Sequence, residues 1–491
     1  MTTEPDAEAR RRIEEIGARP WRQRIGDELR TGRGPTLPIT DPTNDTVLAA
    51  PATADAEDVR EAVERAAAGA AAWGRTTPRE RAAAVRAFAD VLERHAEELA
   101  WLDTIDAGLP LWMMRIDAAT GVERMRMFAD LAHSLVGHTI PASAGNLHLT
   151  FPEPFGVVAR IIPFNHPFMF ASSKLAAPLV AGNAVVLKPS ELTPLSALRM
   201  GELADGILPP GVFSVVHGGP ETGEALVRHP AVSRIAFTGS HQVGRAIQRS
   251  GADAGIKHVS LELGGKNAML VFPDADLDRA VPAAVKGMNF AFAGQSCGST
   301  SRVLVHESLA EEFTERFVRA VDALRIGRPW DEGVQIGPMV SRRQQERALG
   351  FIERAVAAGA EVLSGGGRGP GDGCFVQPTV LGGVAPDSEV AREEVFGPVV
   401  SLLRFRDEEE ALRIANDVEY GLTGSVWTRD LDRALRVSRA LEAGYVWVND
   451  TSTHFPGVPF GGWKLSGIGR EESVDELLSY TQLRAINVVA A

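Results

Sequence analysis

Cysteine is nearly absent from this sequence: among 491 residues only Cys297 and Cys374 occur. Two thiols make neither a disulfide framework nor a zinc cluster, so no metal is expected and a reducing, cytoplasmic setting is. Positive charge is also in short supply. Lys and Arg number 51 against 64 Asp and Glu, for a formal net charge of −13. That balance gives no reason to expect nucleic acid or an anionic membrane surface as a partner. No apolar run reaches the length of a transmembrane helix; the longest, Ala176 to Leu187, is interrupted by Gly182 and Asn183. Residues Met1 to Arg10 are acidic and polar with no apolar h-region, which is not the pattern of a signal peptide.

What is present is enough apolar material for a large buried interior, with 44% hydrophobic residues, and a length that implies two or three domains. Residues 1–50 read as a polar lead-in, with turn signals at Gly32, Gly34, Pro35, Pro38 and Pro42. Two helical patterns follow, one marked by Val59, Ala62, Val63 and Ala66, the other by Val85, Phe88, Val91, Leu92 and Leu99. From Gly156 short apolar runs alternate with helical stretches. Strands are predicted at Val157–Ile162, Ala184–Leu187, Val212–Val216 and Arg234–Phe237, with helices at Phe168–Ala181, Pro194–Asp205 and Thr222–His229. Such alternation implies an α/β fold with a parallel sheet wound by right-handed crossovers. A second alternating region runs from about Val259 to Trp427. Its strands are expected at Ala268–Phe272, Ser301–Val305, Phe375–Val380 and Val399–Phe405, its helices at Leu309–Ala323, Gln344–Ala358 and Asp407–Ala415. Gly365–Gly373 reads as a surface loop.

Five segments carry side chains suited to chemistry. Cys297 lies in Gly294-Gln295-Ser296-Cys297-Gly298-Ser299-Thr300, where small neighbours leave room above the sulfur for a substrate. The alternative is a buried structural cysteine, and that is the better reading for Cys374 at the edge of its glycine loop. Glu262 sits in a Leu-rich run before Gly264 and Gly265; desolvation there would make it a usable general base, unless it merely pairs with Lys266. Pro163-Phe164-Asn165-His166-Pro167 follows a strand directly, so the Asn165 amide could face an oxyanion or simply form a turn. Lys188-Pro189-Ser190-Glu191 ends another strand, in a position to bind a ribose. Phe237-Thr238-Gly239-Ser240-His241-Gln242-Val243-Gly244 runs from a strand into a helix start suited to a pyrophosphate, though it has neither the G-x-G-x-x-G fingerprint nor a Walker lysine. For the last two, a turn with a helix cap is the plain alternative.

Taken together and in order, these segments closely resemble the aldehyde dehydrogenase superfamily. The match continues through Glu394-Val395-Phe396-Gly397-Pro398 and Pro459-Phe460-Gly461-Gly462-Trp463-Lys464-Leu465-Ser466-Gly467, and spans the chain from about residue 38 onward. The resemblance implies Cys297 as nucleophile, Glu262 as general base, Asn165 as oxyanion donor and a supporting part for Lys188. It places the cofactor against Ile162, Pro163, Phe164, Lys188, Ser190 and Glu191, and against Gly219, Gly239, Ser240 and Val243. Leu263, Gly264, Glu394 and Phe396 complete that set. The implied fold is a Rossmann-like cofactor domain (1–132 and 153–262), an α/β catalytic domain (263–465) and a small β oligomerisation arm (133–152 and 466–491). The arm is expected from Gly145–Phe155 with Leu483–Val489, and such exposed strands would pair subunits into a homodimer or homotetramer.

The implied reaction oxidises an aldehyde to a carboxylic acid through a thioester hydrolysed by water. Glu191 favours NAD over NADP, because a carboxylate there would repel a 2′-phosphate. Two rivals are a CoA-acylating semialdehyde dehydrogenase of the same fold, and a non-catalytic binding protein on this scaffold. Glu262 argues against the first, and the intact set Cys297, Glu262 and Asn165 against the second. The substrate pocket, which the resemblance places at His166, Ser173, Ser296, His454 and Phe460, departs from familiar members. Two histidines and the small Ser173 predict a wide, polar entrance rather than an aromatic box. No arginine pair for a dicarboxylic semialdehyde is evident; the nearest candidates are Arg115 and Arg124.

Overall fold

The computed structural model describes residues 4–490. Met1, Thr2 and Thr3, the head of the segment read above against a signal-peptide pattern, lie outside the described residues, as does Ala491. The expected polar lead-in is more ordered than its composition suggested. It holds a helix at Glu4–Ala18 and two short antiparallel strand pairs, Gln23–Ile25 with Glu28–Arg30 and Ile39–Asp41 with Thr46–Ala49. The helix has few apolar residues, but Ala9, Ile13 and Ile16 fall on one stripe and pack on the largest core.

From Val157 onward strand and helix alternate as predicted. Val157–Ile161, Ala184–Lys188, Phe213–Val215, Val232–Thr238 and His258–Glu262 run parallel. They lie side by side in the order third, second, first, fourth, fifth. This doubly wound order reverses between the first and fourth strands and opens a crevice at their carboxyl ends. Alternate residues face different cores: Val158, Val185 and Leu187 face one, Val157, Ala159 and Val186 the other. Burial on both faces is why Ala184–Leu187 reads as a continuous apolar run and why Val157–Ile161 is interrupted only by Arg160. Helices Pro167–Ala181 and Leu195–Leu203 cover the first face, Pro220–Arg228 and His241–Ala254 the second. Antiparallel strands flank the set, Gln23–Ile25 at one side and Gly467–Ile468 at the other, the latter paired with Leu261 and Glu262.

The second sheet has seven strands, with Ala268–Val271 between Arg302–His306 and Thr423–Trp427 at its centre. Met269, Val303 and Leu402 fill the core on one face, Leu270, Leu304 and Leu403 the other. The strand predicted at Phe375–Val380 begins late, at Thr379–Gly382. Pro378 has no N–H for a ladder, and Val376 makes only an isolated bridge to Arg368. A two-stranded ribbon, Leu147–Pro154 against Thr481–Val488, stands apart with Leu483, Ile486 and Val488 exposed. Of the stretch 466–491 that the resemblance assigned to this arm, Gly467–Ile468 joins the first sheet, and helix Val474–Ser479 packs Leu477 into the largest core.

Helix Ala56–Trp73 docks without clearance on the loop leading into Phe213–Val215. Gly211 has φ +77°, and a Cβ there would lie 2.4 Å from the Arg65 carbonyl oxygen. Gly211→Ala is therefore expected to lose about 1–3 kcal/mol of stability. A urea denaturation midpoint equal to that of the unaltered protein would contradict this packing.

Candidate active site

The winding order reverses between the paired first and fourth strands, and a cavity of about 880 Å³ occupies the crevice at their carboxyl ends. Ile162, Pro163, Phe164 and Asn165 come from the end of the first strand, Gly239 and Ser240 from the end of the fourth. Ser240 caps helix His241–Ala254, its Oγ accepting from the Val243 N–H at 3.4 Å, so the positive end of that helix borders the cavity. Lys188 Nζ lies 3.9 Å from Glu191 Oε2. Burial pulls the Lys188 ammonium below its usual range, and Glu191 opposes that shift. Glu394 accepts from the Gly265 N–H at 3.0 Å, and burial pushes its carboxyl up to about 7. Phe396, at φ +54°, packs edge-on against Phe164 with ring centroids 5.6 Å apart. Ser190, Gly219, Val243, Leu263 and Gly264 line the same space, so every residue that the resemblance assigned to the cofactor borders one cavity.

A second cavity, of about 900 Å³, approaches from the other side, and the two share Phe170, Thr238, Glu262 and Cys297. Cys297 is thus partly exposed and bordered by both spaces. Its loop is held from two directions. At Gly294 (φ +69°) a Cβ would fall 2.2 Å from the Gly397 carbonyl oxygen, so only glycine lets the cysteine loop rest on the segment after Glu394. The Asn267 amide donates to the carbonyl oxygens of Cys297 at 2.7 Å and Ser299 at 2.9 Å. Asn267 was missed in the sequence, although it directly follows Glu262-Leu263-Gly264-Gly265-Lys266. Burial, then the charges of Glu394 and Glu262, push the Cys297 thiol up to about 12, with Lys174 opposing. Cys374 is fully buried in the core of the second sheet, as its plain reading held.

Asn165 is buried on the loop after the first strand, and its Oδ1 has no hydrogen bond among the described residues. Glu262 ends its strand with both carboxyl oxygens buried and without a hydrogen bond among the described residues, so it does not pair with Lys266. Burial and then the nearby Glu471 raise its pKa well above the usual carboxylate range, against the pull of Lys174, Arg160 and Arg470. Glu471 itself accepts from Arg160 at 2.6 Å and from Lys174. Burial works against its charge, yet Lys174 and Arg160 hold it down to about 2. A charged cluster therefore stands behind a carboxyl that has no partner of its own.

The substrate-side cavity differs from expectation. His166, Ser296, His454 and Phe460 line it, but Ser173 does not. The Ser173 hydroxyl is buried and bonds back to the Met169 carbonyl at 2.6 Å, while Met169, Phe170 and Lys174 of the same helix form the wall. Nor is the wall free of aromatics: Phe170, Phe292, Trp447 and Phe460 all contribute. Both histidines are held by carboxylates, His166 by Asp117 at 2.7 Å and His454 by Glu472 at 2.9 Å. Arg124 is at the cavity but pairs with Glu472 at 2.7 Å, and Arg115 pairs with Glu97 on the surface.

The aldehyde dehydrogenase family profile matches residues 30–486. A curated relative, "Aldehyde dehydrogenase tropH" of Talaromyces stipitatus, is 44% identical over 469 residues, covering 92% of this chain and 91% of that protein. Among solved structures, betaine aldehyde dehydrogenase of Staphylococcus aureus in complex with NAD+ superposes with a TM-score of 0.95 at 34% identity, over 98% of this chain and 97% of that one. The NAD+ complex of aldehyde dehydrogenase from Bacillus cereus gives 0.94 at 38% identity, over 97% and 98%.

With the Cys297 thiol pushed up to about 12, only a small minority of it is expected as thiolate at pH 7. Alkylation by iodoacetamide is expected to accelerate about tenfold per pH unit from pH 7 to 10. The rate is taken after subtracting that of a Cys297→Ser variant, and a plateau below pH 8 would overturn the assignment.

Proposed function

The chain belongs to the aldehyde dehydrogenase family, and on that footing we propose that it oxidises an aldehyde to the carboxylic acid with NAD as oxidant, through a thioester on Cys297. The observation that carries this reading is the junction of the two cavities at Cys297 and Glu262, one suited to a dinucleotide and one to a substrate. Lys188 and Glu191 would bind ribose hydroxyls, and the helix end at Ser240 would receive the pyrophosphate. Glu394 and Phe396 would border the nicotinamide end. The buried Thr238 Oγ1, without a hydrogen bond among the described residues, adds a polar group on the shared wall. When bound, the oxidised cofactor supplies a hydride-accepting carbon and a positive charge.

The residues divide the remaining work. Cys297, once deprotonated, forms a C–S bond to the aldehyde carbon as the carbonyl electron pair moves onto oxygen. The Asn165 amide and the Cys297 backbone N–H stabilise that oxyanion by ~3 kcal/mol per donor. As the C=O bond re-forms, the aldehydic hydrogen departs as hydride and the thioester remains on Cys297. Glu262 then takes a proton from water, whose oxygen bonds to the acyl carbon. The C–S bond breaks, releasing the acid and leaving sulfur to regain a proton. A Glu262 carboxyl raised by desolvation is protonated at low pH, so hydrolysis gains rate as pH rises through its elevated pKa. Lys188, buried beneath the crevice, acts through its charge on the cofactor side. The exposed ribbon of Leu147–Pro154 and Thr481–Val488 suits self-association into a dimer or tetramer.

Cys297→Ser is expected to abolish aldehyde-dependent NADH formation. Glu262→Gln is expected to release about one NADH per site in a burst and then turn over about 10²–10⁴-fold more slowly. A steady rate in Glu262→Gln equal to the unaltered protein, or turnover that depends on added coenzyme A, would instead favour the acyl-transfer rival. For the cofactor, kcat/KM with NAD should exceed that with NADP by about tenfold or more, and Glu191→Ser should narrow the gap by relieving like-charge repulsion. Equal use of both cofactors by the unaltered protein would remove Glu191 as the discriminator.

A further inference from the structure

The substrate cavity contains a histidine oriented by a buried acid that no step above employs. His166 Nδ1 lies 2.7 Å from Asp117 Oδ2, and Asp117 comes from helix Leu111–Asp130, which packs against helix Pro167–Ala181. The imidazole is pinned between Phe292, at 4.2 Å between ring centroids, and Phe170, at 5.0 Å. In the tautomer whose Nδ1–H donates to the carboxylate, the lone pair lies on Nε2, on the opposite side of the ring. Nε2 has no hydrogen bond among the described residues, and His166 borders the cavity.

We propose that the Asp117–His166 pair selects aldehydes that carry an aromatic ring with a hydroxyl group, whose hydrogen bond His166 Nε2 accepts. This rests on the reading of the site as an aldehyde-oxidising one. The ring is called for by the walls, where Phe170, Phe292, Trp447 and Phe460 surround a space of about 900 Å³. The hydroxyl is called for by the polarity of what faces it. Of the cations on the lining, Lys174 and Arg124 are already paired with Glu471 and Glu472, and Lys286 lies 3.6 Å from Asp450. The Trp447 indole N–H is spent on the Thr453 carbonyl at 2.7 Å. Glu123, on the same lining, adds negative charge, which disfavours a carboxylate on the substrate. A neutral donor is the group that an Nε2 lone pair among aromatic faces recognises. Asp117 is a positioning residue here, because it fixes which nitrogen faces the substrate.

The test compares initial rates of NADH formation with 3- and 4-hydroxybenzaldehyde against their methoxy counterparts, which match the ring but cannot donate. 4-Carboxybenzaldehyde and hexanal complete the set. The unaltered protein is expected to favour the hydroxy compound of at least one pair by about tenfold or more in kcat/KM. His166→Phe should bring that ratio close to one, and His166→Gln, whose amide oxygen accepts, should restore part of it. Asp117→Ala should lower the ratio mainly through KM for the hydroxy compound. A ratio near one in the unaltered protein, its survival in His166→Phe, or a preference for 4-carboxybenzaldehyde or hexanal each overturns the proposal while leaving aldehyde oxidation standing. If none of the aldehydes yields NADH, the aldehyde-oxidising reading fails with it.

Discussion

The carboxylate of Glu471 is the point on which the site's architecture depends. It receives Arg160 from the first strand of the large sheet and Lys174 from the helix that follows, while itself belonging to the carboxy-terminal return. All three side chains are buried, so none can exchange its partners for water. Removing one member of such a buried set costs about 3–5 kcal/mol, because the charges left behind stay desolvated. The return also carries Gly467–Ile468 onto the edge strand that ends in Glu262. One ionic cluster therefore fixes the relation between the first strand, the substrate-side helix and the strand of the candidate base.

That cluster also sets the electrostatic character of the junction. Glu471 keeps its charge because two cations attend it, and its charge is one reason why Glu262, with no partner, does not readily keep its own. Cys297 is pushed the same way, toward its neutral form, by burial and by Glu394 and Glu262. Burial thus biases the thiol and the carboxyl at this junction toward their uncharged forms. A thiol biased toward its neutral form is a weaker nucleophile, and positive charge brought close to it would favour its ionisation. Desolvation, which suppresses the charges at rest, strengthens the interactions that would form once they appear.

Much of this was legible in the sequence, and for a physical reason. Strands buried on both faces leave near-continuous apolar runs, broken here only by Arg160 and the terminal Lys188, so Val157–Ile161 and Ala184–Lys188 declare themselves, and the residues just beyond their ends are then the ones at the crevice. Asn165, Lys188, Glu191, Gly239 and Ser240 could be placed by that rule together with the family resemblance. Helix Glu4–Ala18 was obscured because a surface helix needs only a thin apolar stripe, here Ala9, Ile13 and Ile16 amid many charges. Pro378 delayed a strand by removing one N–H, an effect that apolar content alone does not register.

The substrate side was the least legible, because its chemistry is made by pairs from distant segments. Asp117 and His166 are 49 residues apart, and His454 meets Glu472 18 residues on, past two short strands. Read singly, each histidine suggested a polar, open entrance. Held by a carboxylate, each becomes a ring of defined orientation, and the aromatic side chains around them supply the rest of the surface. Ser173 shows the converse. A small polar residue two turns along a helix looked like space in the pocket, but its hydroxyl was claimed by the helix's own backbone, and the space went to Met169 and Phe170. Catalytic residues that work at strand ends inherit their positions from the fold, whereas specificity residues acquire theirs from partners that linear order conceals.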